Sequence, residues 1–280
     1  MHQNTSNYYA KLLPALVQSW RSLFQLNFSA FIVSLAPSSS TDETPSARTN
    51  DAWPALRQSQ QSVLELAGTQ LVYPIDVGDD GKSVYTPPSS RHGGLHPRNK
   101  TEFGRRIALA WAEMEGKLPP GVGSGPALLA TTLAHDAGSV VLTFESAGSS
   151  EGLHLAPTSD CYTFGRAGLA NATPADCCQR NDTDLRSPHG FPFEVQFVGA
   201  APGANNWTLA LASVEAGNSG QPQQVRLVPA QCGASACPGW GKPLSNKVRY
   251  AFDNWPLCVL ANQQGLPLPP FVSDVVSNNK

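Results

Sequence analysis

The chain has 280 residues, a formal charge of −2 and only 14% charged residues, so it carries no electrostatic footprint for nucleic acid or an anionic membrane surface. Apolar content of 41% with 8% aromatics excludes a wholly disordered chain, and no apolar run reaches the ~20 residues of a membrane span. The 24 glycines and 24 prolines predict many turns and a β-rich part.

Taken in chain order, the first ~116 residues alternate helix and strand. Leu12, Leu13, Leu16, Val17, Trp20, Leu23 and Phe24 recur at helical spacing and predict an amphipathic helix over 5–26, with Pro14 as a break or kink. An apolar strand is expected over 28–35, then a Ser/Thr/Pro-rich loop over 37–50. A second helix is expected from 51 to about 67, with Pro54 in its first turn. The next strand is 70–77. A Gly/Pro/Ser loop over 78–97 leads into a third helix over 99–115, where Phe103, Ile107, Ala110 and Trp111 share a face. Helix–strand–helix–strand–helix points to a parallel sheet with covering helices. Two strands make a poor parallel sheet, so this is half a domain.

After Leu118-Pro119-Pro120-Gly121 the texture turns to strands and turns. Strands are expected over 127–135, 140–145, 193–198, 207–214 and 225–228, with 247–253 the last. That pattern reads as an antiparallel β-sandwich. The chain thus divides into an α/β part, 1–118, and a β part, 119–280.

All six cysteines (Cys161, Cys177, Cys178, Cys232, Cys237 and Cys258) fall in the second part. Their even number predicts disulfides, without fixing the pairing. Zinc is the weaker reading, because no Cys-x-x-Cys pair exists. Asn-x-Ser/Thr sequons begin at Asn4, Asn27, Asn99, Asn171, Asn181 and Asn206 and fit a secretory route. The polar start, Met1-His2-Gln3-Asn4-Thr5, does not read as a signal peptide. The preferred expectation is a secreted-type chain whose front has been lost.

The sharpest chemical signal is Gly93-Gly94-Leu95-His96-Pro97-Arg98-Asn99-Lys100, immediately before the third helix. In α/β sheets, sites collect in loops beyond the carboxyl ends of strands. An imidazole there, with Pro97 stiffening the backbone, is placed to relay a proton between a hydroxyl nucleophile and a leaving group. A surface or structural histidine is the plain alternative, and it is the preferred one for His2, His92, His135, His154 and His189.

These motifs, in their order, resemble the sialate O-acetylesterase family of SGNH-type hydrolases. Leu95-His96-Pro97-Arg98-Asn99-Lys100-Thr101-Glu102-Phe103-Gly104-Arg105-Arg106 is similar to the family's last catalytic block. Trp53-Pro54-Ala55-Leu56-Arg57-Gln58-Ser59-Gln60 is similar to its Trp…Leu-Arg…Gln helix, and Ile75-Asp76-Val77-Gly78-Asp79 to its Ile-Asp-Leu-Gly-Asp strand end. Val248-Arg249-Tyr250-Ala251-Phe252 and Gly265-Leu266-Pro267-Leu268-Pro269-Pro270-Phe271 resemble its C-terminal signatures. The resemblance runs from about Asn4 to Asp274.

It implies part of an SGNH-type three-layer α/β/α hydrolase domain, followed by the β-sandwich. The implied reaction removes acetyl groups from sialic acids or related sugars by a Ser-His mechanism, with no metal or organic cofactor, in a secreted or lysosomal setting. The implied partner is an O-acetylated sugar substrate, not nucleic acid; oligomeric state stays open. His96 corresponds to the catalytic histidine. The acidic residue that many relatives carry three positions earlier is Gly93 here, so the orienting group is the Gly93 carbonyl, Asp76 or Asp79. The plain reading of both carboxylates is that they cap a turn. No serine lies in the family nucleophile's context, and Ser6, the nearest, sits at the wrong point in motif order. Arg105 and Arg106 are read either as contacts for a substrate carboxylate or, preferably, as a solvated helix face. Trp53, Trp111, Trp207, Trp240 and Trp255 are read as packing before sugar stacking. The alternatives are a non-catalytic carbohydrate-binding or structural remnant and an esterase for acetylated polysaccharides.

Overall fold

In a computed structural model of the chain the described residues are 3–37, 52–78, 97, 99–134, 139–145, 152–157, 192–196, 207–215, 222–229, 247–254, 256 and 258–276. The fold is mixed α/β: a small parallel sheet with helices, then a nearly closed seven-strand antiparallel sheet.

Helix α1 (Gln3–Phe24) runs through Pro14 without a break. Proline removes one backbone donor, but the turns on either side are held by burial. Leu13 and Val17 pack with Val63, Leu71 and Tyr73 in one apolar cluster. The adjoining stripe of α1, with Tyr8, Leu12, Leu16, Trp20 and Leu23, is exposed. Strand β1 (Ala30–Val33) pairs in parallel with β2 (Thr69–Val72), Ala30 opposite Thr69 and Val33 opposite Val72. Between them lies α2 (Ala52–Gln60), which tightens into a 3₁₀ turn over Gln61–Glu65. The expected second helix is therefore an α-helix with a narrower last turn. Helix α3 (Lys100–Met114) starts at Asn99, whose side chain accepts from the Glu102 amide. Its buried residues are Arg106 and Ala110, whereas Trp111 is exposed beneath the Lys117 ammonium, 4.2 Å from the ring centroid. Of the four residues expected to share a face, Ala110 is buried, Phe103 and Ile107 are half-buried and Trp111 is exposed; ion pairing, invisible to hydropathy, turns Arg106 inward.

The β part comprises β3 (Leu128–Leu133), β4 (Val140–Phe144), β5 (His154–Pro157), β6 (Phe193–Gln196), β7 (Trp207–Glu215), β8 (Gln223–Pro229), β9 (Lys247–Tyr250), β10 (Cys258–Ala261) and β11 (Phe271–Asp274). Seven of these form one sheet in the order β11-β9-β6-β7-β8-β4-β3, while β5 and β10 form a separate antiparallel pair. The expectation of a sandwich is corrected here. The two edge strands approach each other: Val276, just past β11, forms a parallel bridge to Thr132. Its N–H donates to Thr131 O at 3.0 Å, and its carbonyl accepts from Leu133 N at 3.1 Å. Sandwiches and barrels share the same in–out alternation, so pattern does not distinguish them; closure does. Strands β10 and β11 also follow the segment expected to be the last strand.

The barrel core is built from Val140, Leu142, Phe144, Phe193, Val195, Val225, Leu227, Val248 and Tyr250, all at most 1% exposed. Ile75, from the turn after β2, belongs to the same cluster, so the α/β part inserts a side chain into the barrel core. Cys258 is fully buried; the other five cysteines lie outside the described residues. Among the described residues no helix is long and apolar enough to cross a membrane.

Candidate functional site

The carboxyl ends of β1 and β2 are where the topology gathers polar groups. At the end of β1, Ser34 Oγ donates to Gln60 Oε1 at 2.8 Å, and Leu35 N donates to the same oxygen at 3.0 Å. One turn earlier in α2, Arg57 is fully buried. Its guanidinium donates to Leu35 O (3.0 Å), Ala36 O (3.3 Å), Asp253 O (2.7 Å) and Asn254 O (2.9 Å). Burial pushes its pKa down to about 10, and the Asp253 charge partly offsets that. Four carbonyl dipoles replace the water that a buried cation has lost. Ala251, in the turn that delivers Asp253 and Asn254, adopts φ +52°, a left-handed conformation that non-glycine residues take only when their surroundings enforce it.

Just beyond the end of β2, Arg106 of α3 reaches Asp76. Its Nη1 and Nη2 donate to the two carboxylate oxygens at 2.6 and 2.7 Å, while Nη1 also donates to Tyr73 O at 2.7 Å. Its Nε donates to Glu102 Oε1 at 2.7 Å, and Nη2 to Gly265 O at 3.4 Å. Burial alone would lower the Arg106 pKa, but the hydrogen bonds and charges of Asp76 and Glu102 hold it above its ordinary value. Glu102 also receives two hydrogen bonds from Arg105, whose Nη2 donates in turn to Gln264 O at 3.0 Å. Hydrogen bonding by Arg105 holds the Glu102 carboxyl down at about 2; burial opposes this and Arg106 adds to it.

The strand expected over 70–77 ends at Val72, so Asp76 lies in the turn four residues beyond β2, paired with Arg106. Arg106 is 4% exposed, which corrects its assignment to a solvated face; Arg105 stays partly exposed. The start of α3 follows directly from the histidine loop: Pro97 is buried and Asn99 exposed. His96, Gly93 and Asp79 lie outside the described residues, as do His2, His92, His135, His189, Trp240 and Trp255. His154 is exposed on β5, and Ser6 falls within α1. Trp207 lies under the Arg249 guanidinium, 4.5 Å from its ring centroid, with Phe252 at 5.0 Å. Arg249 also donates to both oxygens of Glu194, at 2.7 and 2.9 Å, so that tryptophan serves packing.

Two structural residues escape sequence reasoning. The sequence marks Arg57 only as part of the Trp-Pro-Ala-Leu-Arg motif; its four carbonyl partners come from the fold. Glu113, near the end of α3, accepts from the amides of Gly121, Gly123 and Ser124 and from Ser124 Oγ, at 2.5 to 3.0 Å. The only advance sign of it is the Gly-Val-Gly-Ser-Gly stretch that follows the helix. Among the described residues no cluster of three or more His, Cys, Asp or Glu side chains could hold a metal ion. No protein-family model matches the chain, and no curated protein matches it either.

Proposed function

We propose that the chain is part of a sialate O-acetylesterase-like hydrolase that removes acetyl groups from hydroxyls of sialic acids or related sugars in a secreted or lysosomal setting. In this reading His96 takes a proton from a serine hydroxyl as it attacks the acetyl carbonyl, then returns it to the departing sugar oxygen. Backbone or amide donors hold the tetrahedral oxyanion. The serine belongs to a block that is not among these 280 residues. No metal or cofactor enters the scheme.

One observation carries the reading: the separate motifs on which the resemblance rests are bonded to one another across the fold. Arg57, of the Trp-Pro-Ala-Leu-Arg motif, holds the carbonyls of Asp253 and Asn254, just past the Arg-Tyr-Ala-Phe motif. Asp76, of the Ile-Asp-Val-Gly-Asp motif, is held by Arg106, of the block that contains His96. Arg106 also donates to Gly265, the first residue of the Gly-Leu-Pro motif. These bonds form two groups, one around Arg57 and one around Arg106, and three of them join residues 150 and more positions apart, which supports reading the motifs as parts of one architecture. The exposed apolar stripe of α1 (Tyr8, Leu12, Leu16, Trp20 and Leu23), beside a parallel sheet of only two strands among the described residues, supports the same reading.

The test compares the 280-residue chain with a form extended upstream through the serine block. The shorter chain is expected to leave 4-nitrophenyl acetate at background, while the extended form releases acetate from O-acetylated sialic acid in preference to acetylated xylan. His96→Ala in the extended form is expected to lower kcat by about 10²–10⁴-fold. Turnover by the shorter chain, or indifference to His96→Ala, overturns the proposal. Preference for xylan would move the substrate to plant polysaccharide.

A further inference from the structure

Helix α1 closes on a fixed turn. Gln25 adopts φ +53°, while Gln25 N donates to Ser22 O at 3.3 Å and Leu26 N to Arg21 O at 3.1 Å, the pair of bonds that ends a helix through one left-handed residue. Two residues on, Arg21 Nε and Nη2 donate to Phe28 O at 3.1 and 2.8 Å, and Nη2 also donates to Gly68 O at 3.4 Å. The guanidinium stands 5.7 Å from the Phe28 ring centroid. Ala30 N then donates to Gly68 O at 2.9 Å as β1 begins. Between these fixed points Asn27 is exposed, Phe28 half-buried and Ser29 exposed, in a stretch that is neither helix nor strand. Asn27-Phe28-Ser29 is one of the six sequons. Of the others, Asn4 lies inside α1, the Asn99 side chain caps α3, and Asn171, Asn181 and Asn206 lie outside the described residues.

We propose that Asn27 is an N-glycosylation site, which takes its sugar chain from a lipid-linked oligosaccharide diphosphate; this rests on the secreted or lysosomal setting proposed above. In the transfer Asn27 Nδ2 gains a bond to the anomeric carbon of the first sugar. The bond from that carbon to the diphosphate of the lipid carrier breaks, and the amide gives up one proton. Ser29 supplies the hydroxyl that the motif requires two positions after the asparagine. A glycan is bulky and hydrated and needs surface backbone, which the exposed Asn27 and Ser29 provide. Phe24 and Leu26 beside it are 60% and 64% exposed, and a hydrated sugar chain keeps such an apolar surface from associating. Asn27 also lies at the amino end of β1, whereas the polar groups of the candidate site gather beyond the carboxyl ends. The four residues of β1, at about 3.3 Å each, separate the two. The glycan therefore leaves the candidate site open, and it requires this end of α1 to stay at the surface in a longer protein too.

The test expresses the 280-residue polypeptide in mammalian cells behind a supplied leader. Its peptides are mapped before and after peptide-N-glycosidase treatment, on secreted and cell-retained protein alike. Asn27 is expected to carry a glycan on most copies, released without denaturant and leaving aspartate at that position. Ser29→Ala, which keeps the asparagine, is expected to abolish the modification, whereas Ser29→Thr keeps it. Asn27→Gln should remove the mass of one glycan. Release of the glycan from the folded protein should increase self-association in size-exclusion chromatography; unchanged elution overturns the shielding role. An unmodified Asn27 peptide overturns the site itself, as does a glycan that survives Ser29→Ala or one that only denaturation releases. None of these readouts needs turnover, so their failure is distinct from failure of the hydrolase reading, which acetate release reports.

Discussion

Arg106 grips Asp76 with two parallel hydrogen bonds, 2.6 and 2.7 Å long, that join the third helix to the turn after the second strand. The arginine is 4% exposed and the carboxylate 17%, so both charges have lost most of their water. Breaking such a pair from one side leaves the other charge uncompensated. Arg106→Leu is expected to lower stability by about 3–5 kcal/mol, read from urea unfolding. Asp76→Asn should cost less, because Arg106 keeps Glu102. The double mutant should reveal a coupling of about 1–3 kcal/mol. Additive effects would show that the contact contributes little.

The Glu102 carboxyl titrates at about 2 in the fold, against an ordinary value of 4.5. A carboxyl whose pKa is depressed by folding contributes stability that is complete above about 4.5 and is lost as pH falls toward about 2, because the unfolded chain binds the proton first. Glu102→Gln is expected to flatten the fall in stability across that window while leaving the profile above pH 5 parallel to the wild type. Urea midpoints measured from pH 2 to pH 6 check this; equal slopes would count against it.

Arg57 holds two chain segments, 35–36 and 253–254, through four carbonyls. Lysine offers a compact ammonium instead of a planar fork and cannot span both segments. Arg57→Lys is expected to cost about 3 kcal/mol and to speed amide exchange selectively around 253–254. Stability within about 0.5 kcal/mol of wild type would mean that the segments are held by packing alone.

Gly123 lies against the backbone of α3. A Cβ there would overlap the Leu109 carbonyl oxygen and stand 2.6 Å from its carbon, and backbone cannot swing aside as a side chain does. Gly123→Ala is expected to cost at least about 1–3 kcal/mol, measurable as a fall in Tm. Gly104, with nothing within 4 Å of the corresponding position, is the control. Gly104→Ala in mid-helix should stabilise by about 0.5–1 kcal/mol. Equal responses at the two glycines would contradict this account.

Hydropathy and turn chemistry determine much of this protein. Spacing of apolar residues marks α1 and α3 to within two residues at each end, and strand alternation marks β4, β6 and β7 nearly as well. The change of architecture near Pro119 follows from texture, whereas the second strand ends at Val72, before the expected 77. Periodicity, however, reports which face of an element is apolar, not which element will meet it. That is why Arg106 reads as solvated and Trp111 as inward: an arginine's burial depends on a carboxylate 30 positions away. It is also why a barrel reads as a sandwich. Only the tertiary structure brings Val276 beside Thr132, seats Ile75 in the barrel core and surrounds Arg57 with four carbonyls, because each depends on contacts whose partners no local pattern names.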